Sequence, residues 1–493
     1  MGIILRQSFW NMLLTYAGFL LGALNTLVLY AQFFSTEGYG LVMSMVSISA
    51  IVMPFIAIGM NNALIRFIPS SDDKDALLSF SLLIPTVAIA LLGAVAWWNI
   101  DSLTSFFPQG EILKDFIWLV FVIAATSAYF EVFYGYAQSH MRSSEGVALR
   151  EMFYRLSTAV LLVAVYMGLI NEIEFCYYLT ASYVIRALLM MWVAYDCRPF
   201  RFKCFKWDKY RNVISYGIFS SMGMAIWAAL LEFDKSMLPF YESLTVEAYY
   251  TVAAFIGMTV AVPYRSLYQI ANPILSHAIA EGDISRQRSL SRKSSLYSLI
   301  ICGTLFLIIN CNINDIYRLL PAGYEAGAMV VLIISAAKVV DSISGLSGSQ
   351  IVYSKYYKWD LVFSVCLMVC VTGSNLYFIP RWGMNGAAIA TLISLTFINT
   401  LRIGFVYIKT GIFPFRIQTI VVAVILGVAY YVFTLPVWDI NGDIWVAIAT
   451  ILVKSLTICI TMASIIYFTG YVPELNEVVN RVIKKNRDKD LSK

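Results

Sequence analysis

The chain alternates long apolar stretches with short polar joins, and the stretches match the roughly twenty residues that a helix needs to cross a bilayer. About fourteen meet that length rule. In the first half they run Ser8–Phe34, Leu41–Phe67, Ala76–Trp98, Phe116–Gln138, Val147–Ile170 and Ile173–Tyr195. In the second half they run Val213–Phe240, Ala248–Leu275, Ser294–Ile313, Gly327–Tyr353, Leu361–Ile379, Met384–Tyr407, Ile417–Leu435 and Ile444–Phe468. The pattern predicts an all-α polytopic membrane protein. Ser8–Phe34 is too long for the apolar region of a cleaved signal and no small-residue cleavage site follows it, so it is expected to be a retained span.

The polar joins orient these spans. Arg198 to Arg211 is the longest charged interruption before the basic C-terminus, and Lys and Arg are enriched in short cytoplasmic loops. With the N-terminus inside, Arg6, Lys74, Arg142, the Arg198 to Arg211 cluster, Arg286, Arg288, Arg292, Lys293, Lys355, Lys358, Lys409, Arg416 and the tail all fall on one side. Lys114, Arg318 and Arg381 are nearly all that the other side holds. Losing one span would invert every later join, so the asymmetry supports an even count with both termini cytoplasmic. The tail from Pro473 suits either a short surface helix near anionic headgroups or a solvated end.

Composition agrees: 60% of the 493 residues are hydrophobic, 13% are charged, and the mean hydropathy is +0.74. The net charge of +5 sits in joins and tail, which speaks for membrane topology rather than nucleic acid. Eight cysteines are scattered, two histidines are present, and no zinc-type spacing or phosphate-cradling glycine loop occurs, so no metal or cofactor is expected. No join is long enough to form a catalytic domain, which argues against a membrane glycosyltransferase or polymerase.

The two halves open alike. Glu37 and Tyr39 follow the first span as Glu247 and Tyr249 follow the seventh, and the spans after them contain Pro54 and Pro263, then Asn61-Asn62 and Asn272. Paired interrupted helices point to a transporter's central site, and two ordinary kinks are the plainer explanation. The expected organisation is a six-helix lobe over residues 1–195, a basic cytoplasmic linker over 196–212, a second six-helix lobe over 213–408, two further helices over 409–470 and a basic cytoplasmic tail over 471–493.

A more specific signal is Asn375-Leu-Tyr-Phe-Ile-Pro-Arg-Trp-Gly-Met-Asn-Gly-Ala-Ala-Ile-Ala-Thr. Pro380 ends one helix, Gly383 and Gly386 permit a tight reversal, and the small residues beyond allow close packing, so the block is structural. It resembles the signature joining two late helices in polysaccharide and lipid-linked oligosaccharide flippases of the MATE-like (multidrug/oligosaccharidyl-lipid/polysaccharide) MOP exporter superfamily. Phe33-Phe-Ser-Thr-Glu-Gly-Tyr-Gly, Ile58-Gly-Met-Asn-Asn-Ala-Leu-Ile-Arg-Phe, Asp234-Lys-Ser-Met-Leu-Pro-Phe-Tyr and Pro273-Ile-Leu-Ser-His-Ala with Glu281-Gly-Asp resemble further family blocks. The resemblance implies two pseudo-symmetric six-helix lobes around a cavity open alternately to either side, with two C-terminal helices added. It implies transport without bond breaking, in a bacterial inner membrane, for O-antigen-type polysaccharide assembly. Its substrate would be an oligosaccharide on a polyprenyl pyrophosphate, with a polymerase or glycosyltransferases as further partners.

Ionisable groups at membrane depth are the candidates for recognition, because each costs at least about 2.5 kcal/mol to insert. The deep cations are Arg186, Arg265, Lys338 and Lys454. Arg265 ranks first, lying between Pro263 and Pro273; Lys338 is next, with Asp341 three residues on as a possible neutraliser. Arg66 could receive a headgroup or simply snorkel, and Arg402 is expected to snorkel. Glu151 and Arg155 are spaced as an i,i+4 pair, which leaves Arg150 surplus. Arginine's planar fork suits the pyrophosphate that the resemblance implies. Glu131, Glu232 and Asp234 could couple transport to a proton or sodium gradient, although Glu232 and Lys235 could equally form a neutral i,i+3 pair. A MATE-type cation-coupled drug or small-molecule antiporter is the alternative, favoured by an acidic cavity. The peptidoglycan-precursor flippases are close by chemistry, but their strongly basic first span is not seen.

Overall fold

The computed structural model describes residues 14, 17–68, 71–98, 110–140, 142, 144–203, 205, 210–435 and 443–470. The expected tail, the start of the first span, and residues 204 and 206–209 of the linker lie outside the described residues. Every regular element among the described residues is helical. We number them α1 (Ala17–Phe33), α2 (Thr36–Ala57), α3 (Met60–Phe67), α4 (Lys74–Trp98), α5 (Gly110–Ser139), α6 (Ser144–Ala148), α7 (Tyr154–Tyr166), α8 (Glu172–Cys197) and α9 (Arg211–Met237). There follow α10 (Leu244–Met258), α11 (Val262–Ala280), α12 (Ile284–Cys311), α13 (Ile313–Arg318), α14 (Ala328–Ile343), α15 (Ser347–Tyr353), α16 (Lys358–Thr410), α17 (Ile417–Phe433) and α18 (Ile444–Thr469).

Each of the fourteen apolar stretches holds helix, and nine helices among the described residues are long and apolar enough to cross a membrane. The chain is an all-α multi-pass membrane protein. Helix α17 shows why these elements suit lipid. Thr419, Val422, Leu426, Ala429 and Phe433 are buried on one face, and Ile417, Ile420, Val424, Val428 and Tyr431 are exposed on the other. An apolar face left open would be unstable against water and is satisfied by acyl chains.

Some stretches expected to be single spans are interrupted. The second divides between α2 and α3, where Ile58 and Gly59 both take left-handed backbone, φ 42° and 63°. For a β-branched residue that conformation is a true outlier, of the kind associated with function or strain. Pro54 lies one turn before it, and the Ile58 N–H closes α2 on the Pro54 carbonyl at 3.0 Å. The eighth divides at a 3-10 turn, Thr259–Ala261, just before Pro263. The tenth ends at Ile343 and resumes at Ser347, with Gly345 at φ 57°. In the fifth, α6 and α7 join through a π-turn, Leu149–Phe153. Two antiparallel expectations also meet inside one continuous run, α16. Its arms join at Gly383, whose φ of 53° and ψ of −133° are open essentially to glycine alone. Pro380 lies in the arm before it, and a side chain on Gly386 would collide with the Phe378 carbonyl oxygen.

The described chain forms two compact units: Met1–Phe255 with Met368–Ala390, and Ile256–Leu367 with Thr391–Lys493. In the first, α5 is central and packs on α2, α3, α4 and α8, around Met60, Phe80, Tyr136 and Met190. In the second, α12 packs on α11, α14 and α17, around Leu299, Leu307, Leu426 and Ile458.

Candidate functional site

The first unit builds a cationic centre from one face of α5. Ser127, Phe130, Glu131 and Tyr134 stand at i, i+3, i+4 and i+7, so their side chains share that face. Helix α8 brings Tyr183 and Arg186, one turn apart, against it. Arg186 is 8% exposed. Its guanidinium carbon lies 4.7 Å from the Phe130 ring centre and 4.5 Å from that of Tyr183, and its Nη2 donates to Ser127 Oγ at 3.1 Å. Its Nε is buried with no acceptor, and no carboxylate pairs with it among the described residues. Two ring contacts supply roughly 0.5–2 kcal/mol each, less than the cost of a buried, unpaired cation. A planar donor fork held on aromatic walls has N–H groups that an anion's oxygens could accept from.

Arg150 stands next to it. Its guanidinium lies over Tyr134 at 4.6 Å and Phe130 at 5.8 Å, so the Phe130 ring carries a cation from each of two helices. Arg150 forms an ion pair with Glu131, and Asn61 Nδ2 donates to the other Glu131 oxygen at 3.4 Å. Arg150 is therefore not surplus: its partner comes from α5, a tertiary contact that local spacing cannot reveal. The expected Glu151–Arg155 pair is present. Arg150 and Glu151 both sit in the π-turn, a bulge that re-aims side chains and recurs at functional sites. A second π-turn, Asn25–Leu29 of α1, packs on α7, where Asn25 Nδ2 donates to the Arg155 carbonyl at 2.8 Å.

A different centre lies in the same unit between α2, α9 and α10. Ser47 Oγ donates to Glu232 at 2.9 Å, and Lys235 Nζ pairs with Glu232 at 3.1 Å. Asp234 accepts from the Tyr250 hydroxyl at 2.9 Å and from Asn375 Nδ2 at 2.8 Å. Glu247 is 0% exposed; Ser44 Oγ donates to one of its oxygens, and the other is buried without a partner. Sequence reading noticed Glu247 only as a repeat match and missed the rings around Arg186. Tyr183, three residues before Arg186 on α8, was the available signal for one of those rings.

The remaining candidates are dispersed. Arg66 is exposed at the end of α3, over the Tyr216 ring at 4.4 Å. Arg265 is exposed on α11, and Lys338 is half-buried on α14; neither forms an ion pair among the described residues. No ion pair joins Lys338 to Asp341 among the described residues; Asp341 instead accepts from Asn399 Nδ2 at 2.9 Å. Lys454 is 2% exposed in the buried stripe of α18. Arg402 lies 3.4 Å from Asp360, with its Nε buried.

Comparison with solved structures places this architecture. The lipid II flippase MurJ in an inward closed conformation superposes with a TM-score of 0.73 at 14% identity, covering 93% of this chain and 99% of that one. An inward-facing multidrug resistance MATE transporter of the MOP superfamily gives 0.65 at 13% identity, over 80% and 94%. A MATE transporter from Vibrio cholerae gives 0.54 at 12% identity, over 83% and 98%. These likenesses establish the fold. The comparison with curated proteins returned no significant match. A profile described as "Polysaccharide biosynthesis protein" matches residues 4–279, more than half of the sequence, and the chain therefore belongs to the polysaccharide biosynthesis protein family.

Proposed function

We propose that this protein flips a polyprenyl-pyrophosphate-linked oligosaccharide across a bacterial cytoplasmic membrane by alternating access, for surface polysaccharide assembly of the O-antigen type. Both termini would be cytoplasmic, and the polymerase and glycosyltransferases of the same assembly would be its partners. The observation that carries the reading is Arg186: a buried guanidinium on two rings, with neither a carboxylate nor an acceptor for its Nε among the described residues, beside Arg150 in a π-turn. A pyrophosphate offers the charge and the bidentate oxygens that this fork lacks. Arg66, Arg265 and Lys338 would guide the headgroup. The lipid tail stays in the bilayer while the headgroup crosses, so no bond is broken and no cofactor is needed. Glu131, Glu232 and Asp234 are the groups through which a proton or sodium gradient would act.

The MATE-type antiporter is the second reading, and the carboxyl cluster of Glu232, Asp234 and Glu247 is what favours it. Deleting the gene and extracting lipid-linked glycans separates the two. Accumulation of an oligosaccharide on its carrier, reversed by the wild type and not by Arg186→Ala, supports the flippase. Absence of any accumulated glycan, with altered drug sensitivity, overturns it in favour of the antiporter.

A further inference from the structure

A groove in the first unit is not used by this mechanism. It lies between α4, α5 and α8, has a volume of about 530 Å³, and one end is closed by Phe202 and Phe205 of the basic segment after α8. Its walls run from Ser79 to Thr86 on α4. At 1.5 Å per residue that is about 10 Å of depth, enough for the upper half of an acyl chain. The deep end is marked by the Thr86 and Tyr129 hydroxyls, 2.8 Å apart, and the walls between are Leu82, Leu83, Leu188 and Met191.

The basic segment is docked in place. The Lys203 N–H donates to Ser79 Oγ at 3.0 Å, and Lys203 Nζ reaches both Asp73 oxygens at 3.2 Å. Arg198 pairs with Asp75 at 3.6 Å, and the Phe205 ring meets Phe80 edge-on at 5.1 Å. The Ala76 N–H holds the Asp73 carboxyl below the usual aspartate range, and Lys203 adds to this. From Arg198 to Arg211 the sequence carries Arg198, Arg201, Lys203, Lys206, Lys209 and Arg211 against the single acid Asp208. Asp73 and Asp75 neutralise two of the cations, and Arg201, next to Phe202, is exposed with no ion pair among the described residues.

We propose that this groove is a binding site for an anionic diacyl phospholipid, with one acyl chain between α4, α5 and α8 and the phosphate on Arg201. An apolar cleft accepts any acyl chain; a cation unpaired among the described residues, Arg201, beside the Phe202 that lines it would select an anionic headgroup. The site is separate from the Arg186 centre and does not depend on which solute is transported. The test uses the purified full chain in detergent, titrated with phosphatidylglycerol, phosphatidylcholine or polyprenyl phosphate while retained lipid and thermal unfolding are measured. Phosphatidylglycerol should bind about tenfold more tightly than phosphatidylcholine. Arg201→Ala should abolish that preference. Leu83→Trp, at a position 39% exposed and therefore tolerant of bulk, should reduce binding of both lipids. Equal affinity for the two phospholipids in the wild type overturns the proposal, as does an unchanged preference in both variants. Tighter binding of polyprenyl phosphate, lost in Leu83→Trp, would also overturn it, since the occupant would then be the carrier.

Discussion

The first unit contains two polar centres at membrane depth, and they solve the cost of burial in opposite ways. Around Phe130 there are two guanidiniums and one carboxylate, and the cation with no carboxylate partner among the described residues rests on aromatic rings and the Ser127 hydroxyl. Between α2, α9 and α10 there are three carboxyls and one lysine, satisfied by the hydroxyls of Ser44, Ser47 and Tyr250 and the amide of Asn375. Rings stacked on a guanidinium accept none of its in-plane N–H groups, so they leave the fork available. Hydroxyls and amides engage the carboxyl oxygens directly. On the proposed function the first arrangement receives an anion; the second is largely a completed network.

If that contrast is right, the two centres respond differently to loss of charge. The largest effect is expected for Arg186→Ala: translocation of the lipid-linked glycan in proteoliposomes should fall to background with membrane insertion intact. Arg186→Lys keeps the charge without the planar fork and should retain only a small part of the rate. Glu247→Gln should translocate near the wild-type rate, because Ser44 can donate to an amide oxygen as it does to the carboxyl and no cation loses its partner. Wild-type transport by Arg186→Ala, or its loss in Glu247→Gln, would reverse the roles assigned to the two centres.

The Arg150–Glu131 pair sharpens the comparison because the proposed function gives it a part in both structure and recognition. Arg150→Ala leaves Glu131, 13% exposed, with only Asn61, and should lower stability in detergent by roughly 1–3 kcal/mol, discounted for the partial exposure of Arg150. The double variant Arg150→Ala with Glu131→Ala should recover part of that loss in a thermal unfolding assay while transport stays low. If stability and transport recover together, Arg150 is only a structural partner. Tyr183→Leu removes one ring from Arg186 and should cost less, about 1 kcal/mol, with a weaker effect on transport.

The fold was legible in the sequence because a bilayer imposes length and polarity on every span. The ends of α17 at Ile417 and Phe433 fall within two residues of the expected Ile417–Leu435 for that reason. The turn at Gly383 was equally legible, since Gly383 and Gly386 act through the backbone alone, although Pro380 lies inside the helical arm and does not end it as expected. The breaks were less so. Pro54 announced trouble in the second span, but the left-handed residues are Ile58 and Gly59, and an isoleucine there contradicts its own propensity. The gap between Ile343 and Ser347 had Gly345 and a run of serines as its only sign. For the site, depth in the chain identified Arg186, yet its environment is tertiary: nothing local says that α5 will present Phe130 to it, or that Glu131 will reach Arg150. Lys338 shows the converse, a local pairing with Asp341 that the fold replaces by Asn399.

The smallest expected effect concerns a contact outside the spans, which sets the scale for the two centres. Asp73 caps α4 by accepting the Ala76 N–H at 3.1 Å and pairs with Lys203. Its carboxyl is held below the usual range in the folded protein, so the ionised form is favoured by folding. The stabilisation is therefore fully present above the unfolded value, near 3.9, and is lost as pH falls through the lower folded value. Asp73→Asn should leave transport unchanged at neutral pH and slightly lower the unfolding temperature there. Because the pair is exposed, the part due to Lys203 should shrink as salt is raised, and the part due to the helix cap should not. The wild type and Asp73→Asn should then converge as the pH falls through the lowered folded value of Asp73. Persistence of a gap at that acidity would mean that Asp73 acts through packing of the basic segment rather than through its charge.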